Sequence, residues 1–80
     1  EPRAIDVETV QRRDHEAPLR YHDGTWHSLI EVAGPDRLSG GQWDRTYARE
    51  YYRALTDEGV LIWMYRDAVH GRWYVHGYWD

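Results

Sequence analysis

Tyr47-Ala48-Arg49-Glu50-Tyr51-Tyr52-Arg53-Ala54-Leu55-Thr56-Asp57-Glu58-Gly59-Val60-Leu61-Ile62-Trp63-Met64-Tyr65-Arg66 is the stretch on which the fold class rests. Two runs rich in aromatic and aliphatic residues flank Asp57-Glu58-Gly59, a three-residue turn with glycine where a left-handed residue is wanted. Ala48, Tyr51, Tyr52 and Leu55 also fall at helical spacing. The crowd of aromatics and the turn at Glu58-Gly59 nevertheless favour a strand over residues 47–56. Closing the hairpin there sets Tyr51 opposite Tyr65, Tyr52 opposite Met64, Arg53 opposite Trp63 and Glu50 opposite Arg66. The return strand is apolar on both faces, as expected of a strand covered on both sides. Trp63 and Tyr65 are accordingly read as core.

Toward the C-terminus, Asp67-Ala68-Val69-His70-Gly71 turns the chain into another strand over residues 72–79. Toward the N-terminus, Asp23-Gly24 reads as a two-residue hairpin turn, pairing His22 with Thr25, Tyr21 with Trp26 and Leu19 with Ser28. One face then carries Leu19, Tyr21, Trp26, Ile30 and Val32. The other carries Arg20, His22, Thr25, His27 and Glu31, with Leu29 the exception to the alternation. Ala33-Gly34-Pro35-Asp36 is expected to stop that second strand, since proline has no donor and glycine weakens pairing. Leu38-Ser39-Gly40-Gly41-Gln42-Trp43-Asp44 follows as a glycine-containing loop, with Trp43 as a lid over the core or a functional aromatic. In residues 1–17 Ile5, Val7 and Thr9 alternate with polar neighbours, which suits either an edge strand or a linker; residues 18–80 form the β module. The expected fold is all-β: a small antiparallel meander of about five strands, a curled sheet or small barrel.

Composition sets the outer bounds. Eighty residues allow one domain, and no cysteine means no disulfide framework and no thiolate zinc site. All the basic residues are Arg, and the net charge of −4 speaks against a dedicated duplex-DNA binder. No apolar run approaches the roughly 20 residues of a membrane-spanning helix. The chain begins Glu1-Pro2 and its one methionine is Met64, which suggests a module of a longer protein.

Chemistry of the usual catalytic kinds finds little to work with. His22 and His27 flank the first turn on its polar face with Asp23 close by, but no third ligand is fixed by spacing, so no metal site is expected. His76 is read as tethered to backbone. The carboxylates Asp23, Asp36, Asp57, Glu58 and Asp67 sit in turns, and Ser28 and Ser39 lack a nucleophile-elbow context. Gly40-Gly41 is not followed by the Lys or Thr of a phosphate cradle, so neither catalytic residues nor a cofactor are expected. Arg49, Arg53, Arg66 and Arg72 interleave with Tyr51, Tyr52, Tyr65 and Trp73 in the manner of a single-strand-binding barrel. Five acids among residues 46–80 leave that region near neutral. With five Trp, seven Tyr and no Phe, the residue types fit a protein–protein interface best.

The order of motifs carries a resemblance. Ala33-Gly34-Pro35-Asp36-Arg37-Leu38, Trp43, Arg49-Glu50-Tyr51-Tyr52, Trp63-Met64-Tyr65-Arg66-Asp67 and Gly71-Arg72-Trp73-Tyr74-Val75-His76-Gly77-Tyr78-Trp79-Asp80 together resemble the extreme C-terminus of ImuB-type proteins. These are the catalytically inactive Y-family DNA-polymerase homologues of the bacterial mutasome. Gln42 stands where that family has the first Trp of a pair, Glu50 where it has Asp, and Trp79 where Phe is commoner. The resemblance implies a cytoplasmic, non-catalytic adaptor module acting in damage-induced translesion synthesis. Its implied partners are the RecA-like ImuA and an error-prone DnaE-type polymerase, with the sliding clamp bound through upstream regions. Trp43, Tyr51, Arg66, Trp73 and Trp79 are the expected contacts, chosen for size and motif membership. A weak single-stranded DNA-binding surface is the alternative function.

Overall fold

The computed structural model describes residues 2–42 and 45–79, with the side chains of residues 42, 45, 46 and 79 left aside. Six antiparallel strands follow one another around a closed barrel: β1 (Arg3–Gln11), β2 (Glu16–His22), β3 (Trp26–Gln42), β4 (Arg45–Thr56), β5 (Leu61–Asp67) and β6 (Arg72–Trp79). All-β meander topology is therefore the architecture. Each strand pairs with the next, and β1 returns to β6 to close the ring.

The β4–β5 hairpin has the register that the sequence dictates, with Tyr51 opposite Tyr65, Tyr52 opposite Met64, Arg53 opposite Trp63 and Glu50 opposite Arg66. Gly59 supplies the positive φ of the turn, at 82°, and the Thr56 hydroxyl accepts from the Val60 N–H at 3.1 Å. At the β5–β6 turn Gly71 does the same at φ 74°, while Asp67 Oδ1 accepts from the Val69 and His70 N–H groups. Alternation along these strands points Tyr52, Ala54, Ile62, Met64, Trp73 and Val75 into the barrel, where Ile5, Tyr21 and Leu29 complete the core. Ile62 and Met64 are fully buried.

Two expectations are corrected. Asp23-Gly24 is not a two-residue turn. Only Gly24 adopts positive φ there, at 121°, whereas the two-residue form needs it at Asp23 as well. The turn therefore takes in Thr25, whose carbonyl accepts from the Asp23 N–H at 3.2 Å, and the register slips by one: His22 opposes Trp26 and Tyr21 opposes His27. A one-residue slip exchanges faces. Leu29, the exception to the alternation, becomes the buried residue, while Trp26 moves to the exterior beneath the Arg20 guanidinium, 4.3 Å from its ring centroid.

Gly34-Pro35 does not end the strand either. It forms a bulge with a cis peptide bond, and β3 resumes with Asp36 opposite Tyr51 and continues to Gln42. Gly34 is required here, because a Cβ would lie 2.6 Å from the Tyr51 carbonyl oxygen at a φ of 126°. The expected loop over 38–44 is thus strand as far as Gln42; Trp43 and Asp44 lie outside the described residues.

β1 bears the Ile5 and Val7 alternation and takes a neighbour on each side: β2 along most of its length, and β6 over residues 3–5 against 73–75. Ile5 and Val7 are the residues it contributes to the core.

Candidate interaction surface

Where consecutive residues of a strand are both aromatic, one ring enters the barrel and the other stands outside it. Tyr52 goes in and Tyr51 stays out; Met64 goes in, while Trp63 and Tyr65 stay out; Val75 goes in, while Tyr74 and His76 stay out. A second aromatic layer consequently covers the outer face of β4, β5 and β6. Tyr65 stacks on Tyr74 with ring centroids 5.1 Å apart. Tyr51 lies 5.0 Å from Tyr65 and 5.2 Å from Trp63. His76 occupies a bulge in β6, where Trp63 opposes Gly77 and Met64 opposes Val75. Its imidazole sits 4.5 Å from the Trp63 ring. No backbone tether of His76 is found among the described contacts.

Arg49 caps this layer. Its guanidinium lies 4.7 Å over the Tyr65 ring and donates to the Tyr51 hydroxyl at 3.1 Å. That hydrogen bond leads the causes that raise the Arg49 pKa, and burial leads those that push the Tyr65 hydroxyl up. Both groups therefore keep their neutral-pH forms. Tyr51 and Tyr65 are only 7% and 4% exposed, and among the described residues their rings and Arg49 pack on one another. The rim, with half-buried Trp63 and Tyr74 and exposed His76 and Arg53, is what solvent meets. An open groove of about 750 Å³ adjoins it at Arg53, lined by Glu31, Val32, Ala33, Leu55 and Leu61.

Among the described residues singled out from sequence, Tyr51 stands on one face of the sheet and Arg66 and Trp73 on the other. Tyr51 belongs to the outer layer. Trp73 is a core residue, 8% exposed, with its ring 5.4 Å from that of Tyr52. Arg66 shares the Trp73 face of the sheet and pairs with Glu50 at 3.2 Å, whose other oxygen accepts from Arg37 at 3.3 Å. Trp43 and the Trp79 side chain lie outside the described residues. Sequence reasoning missed Arg49, Tyr74 and His76; of the two residues it read as core, Tyr65 is buried and Trp63 only half-buried. The signal was present in the hairpin register, which already placed Tyr51, Tyr65, Arg53 and Trp63 on one face. His22 and His27 fall on opposite faces after the slip, and no group of three or more His, Cys, Asp or Glu could hold a metal among the described residues.

The arrangement defines a small closed β-barrel with a self-packed aromatic and arginine layer on its exterior. In comparison with known proteins, no family model, curated protein or solved structure matches the chain.

Proposed function

We propose that this barrel is the non-catalytic partner-binding module of an ImuB-like adaptor in damage-induced mutagenesis and translesion DNA synthesis, docking through its outer aromatic layer. One observation supports it most. Tyr51, Trp63, Tyr65, Tyr74, His76 and Arg49 pack on one another outside the barrel, beside a groove lined by Val32, Ala33, Leu55 and Leu61. Interface hot spots are enriched in Trp, Tyr and Arg. Rings already held by neighbours lose little further freedom when a partner covers them. The resemblance to ImuB-type C-termini supplies the partners: ImuA first, then the error-prone DnaE-type polymerase, with the sliding clamp engaged upstream.

Retention of purified ImuA or DnaE-type polymerase on the immobilised chain tests this directly. The wild-type chain should retain ImuA, with amide shifts concentrated on β4–β6. A Trp63→Ala/His76→Ala variant should lose retention while keeping the core signals of Tyr52 and Trp73. Arg49 stacked on Tyr65 is also the geometry on which a nucleobase could pile. Binding of a labelled oligonucleotide with steep salt dependence, and of neither protein, would overturn the adaptor reading in favour of single-stranded DNA.

A further inference from the structure

The barrel has two thin seams. Among the described residues, β1 meets β6 only over residues 3–5 against 73–75, and β2 meets β3 only over residues 20–22 against 26–28. Both seams bound one unit, the β1–β2 hairpin, whose own strands pair from Asp6 opposite His22 to Gln11 opposite Glu16. A chain of polar contacts crosses both seams at the Asp23 end. Tyr78 of β6 accepts from Arg3 of β1 at 2.8 Å, and the same Arg3 nitrogen lies 3.5 Å from Asp23 Oδ2. Asp23 Oδ1 is 2.9 Å from His27 Nε2, and Glu58 of the β4–β5 turn is 2.8 Å from His27 Nδ1.

Both imidazole nitrogens thus face carboxylate oxygens, which only accept. The doubly protonated ring alone can donate to both. Tyr21 of β2 stacks on the same ring at 4.8 Å. Tyr21 also faces Tyr78 and Asp23, and burial leads the causes that raise its hydroxyl pKa, so the hydroxyl carries no negative charge near neutrality. The side chains of His27 and Asp23 are 18% and 17% exposed, so their contact is sheltered from solvent, whereas Glu58 reaches the ring from the exposed side.

We propose that the β1–β2 hairpin is an opening flap of the barrel, latched by the cationic His27 held between Asp23 and Glu58, and that deprotonation of His27 releases it. The sign follows from the partners. The Glu58 hydrogen bond, with Asp23 adding to it against some burial, raises the His27 pKa above its ordinary value. The latch is therefore fully made below the open-state pKa and is lost as pH rises through the raised one. On the acid side, burial opposes the charged form of Asp23, but His27, the Thr25 backbone and Arg3 outweigh it and hold its pKa down. That contribution is lost only as pH falls through this lowered value. The flap is tightest between the two.

Hydrogen exchange on the whole chain, with all five histidine rings followed by NMR, provides the test. Protection of amides in residues 5–10 and 17–22 should fall in step with the titration of His27, while residues 50–55 and 62–66 stay protected. Each unit by which the closed-state pKa exceeds the open-state one corresponds to about tenfold in the opening constant. Glu58→Gln should move the midpoint to lower pH, and His27→Gln should leave the hairpin weakly protected with no remaining step. Loss of protection by all strands together would overturn the proposal. So would a hairpin step that follows another histidine, or a midpoint that Glu58→Gln leaves in place. If His27→Gln does not fold, the wild-type titration and Glu58→Gln decide.

Discussion

The β4–β5–β6 half of the barrel and the β1–β2 hairpin are attached to the same core by different means. In the first half, the β4–β5 seam runs unbroken from Arg49 opposite Asp67 to Leu55 opposite Leu61, and rings pack on both faces. In the second, seams to the remaining strands are short, and polar links supplement the core contacts of Ile5 and Tyr21: Arg3 to Tyr78, Asp23 to His27, which Glu58 holds in turn, and the Tyr52 hydroxyl to the Glu16 carbonyl at 3.1 Å. Apolar packing has no proton to lose, whereas a histidine between two carboxylates does. A barrel this small thus sets a wall held by packed rings beside a hairpin whose polar links include an ionisable imidazole.

The difference can be probed by substitutions of decreasing effect. Met64→Ala empties the shared core and should cost about 2–5 kcal/mol, shifting the urea midpoint of both halves together. Two separate transitions would show that the halves do not share one cooperative core. Gly34→Val forces a Cβ against the Tyr51 carbonyl and should cost roughly 2–4 kcal/mol, read in the same way. Tyr52→Phe removes a hydrogen bond that joins the halves and should cost about 1 kcal/mol. Its exchange signature should appear at residues 16–18 before β5. His76→Ala thins the outer layer and should cost less than about 1 kcal/mol, yet it should weaken partner retention several-fold. Arg20→Ala loses the ion pair to Glu8 and the stacking on Trp26, all at the surface, and should leave Tm unchanged.

The same division governed what could be read from the chain. The β4–β5 and β5–β6 hairpins were legible because their glycines sit where the turn needs positive φ, and each turn fixes its own register locally. The first hairpin misled because Asp-Gly suggests a shorter turn than Asp23-Gly24-Thr25 makes, and because Leu29 looked like an exception rather than the core residue. Gly34-Pro35 looked like a stop because proline and glycine weaken pairing, while a bulge absorbs both. Closure of the ring joins Ile5 to Trp73, a pairing with no local signal. The site was half legible for a related reason. Register placed Tyr51 beside Tyr65, but with apolar residues on both faces nothing in the pattern said which face was inside.

The β1–β6 seam has a mechanical consequence. Arg3 lies opposite Val75, so the polypeptide enters and leaves the barrel at the same end of adjacent antiparallel strands. Tension applied across the two ends would load the seam like a zipper, on Arg3 and Val75 first, then Ala4 and Tyr74, then Ile5 and Trp73. Rungs loaded one at a time resist far less than rungs sheared together. A pull that leaves the aromatic wall intact would be enough to part β1 from β6.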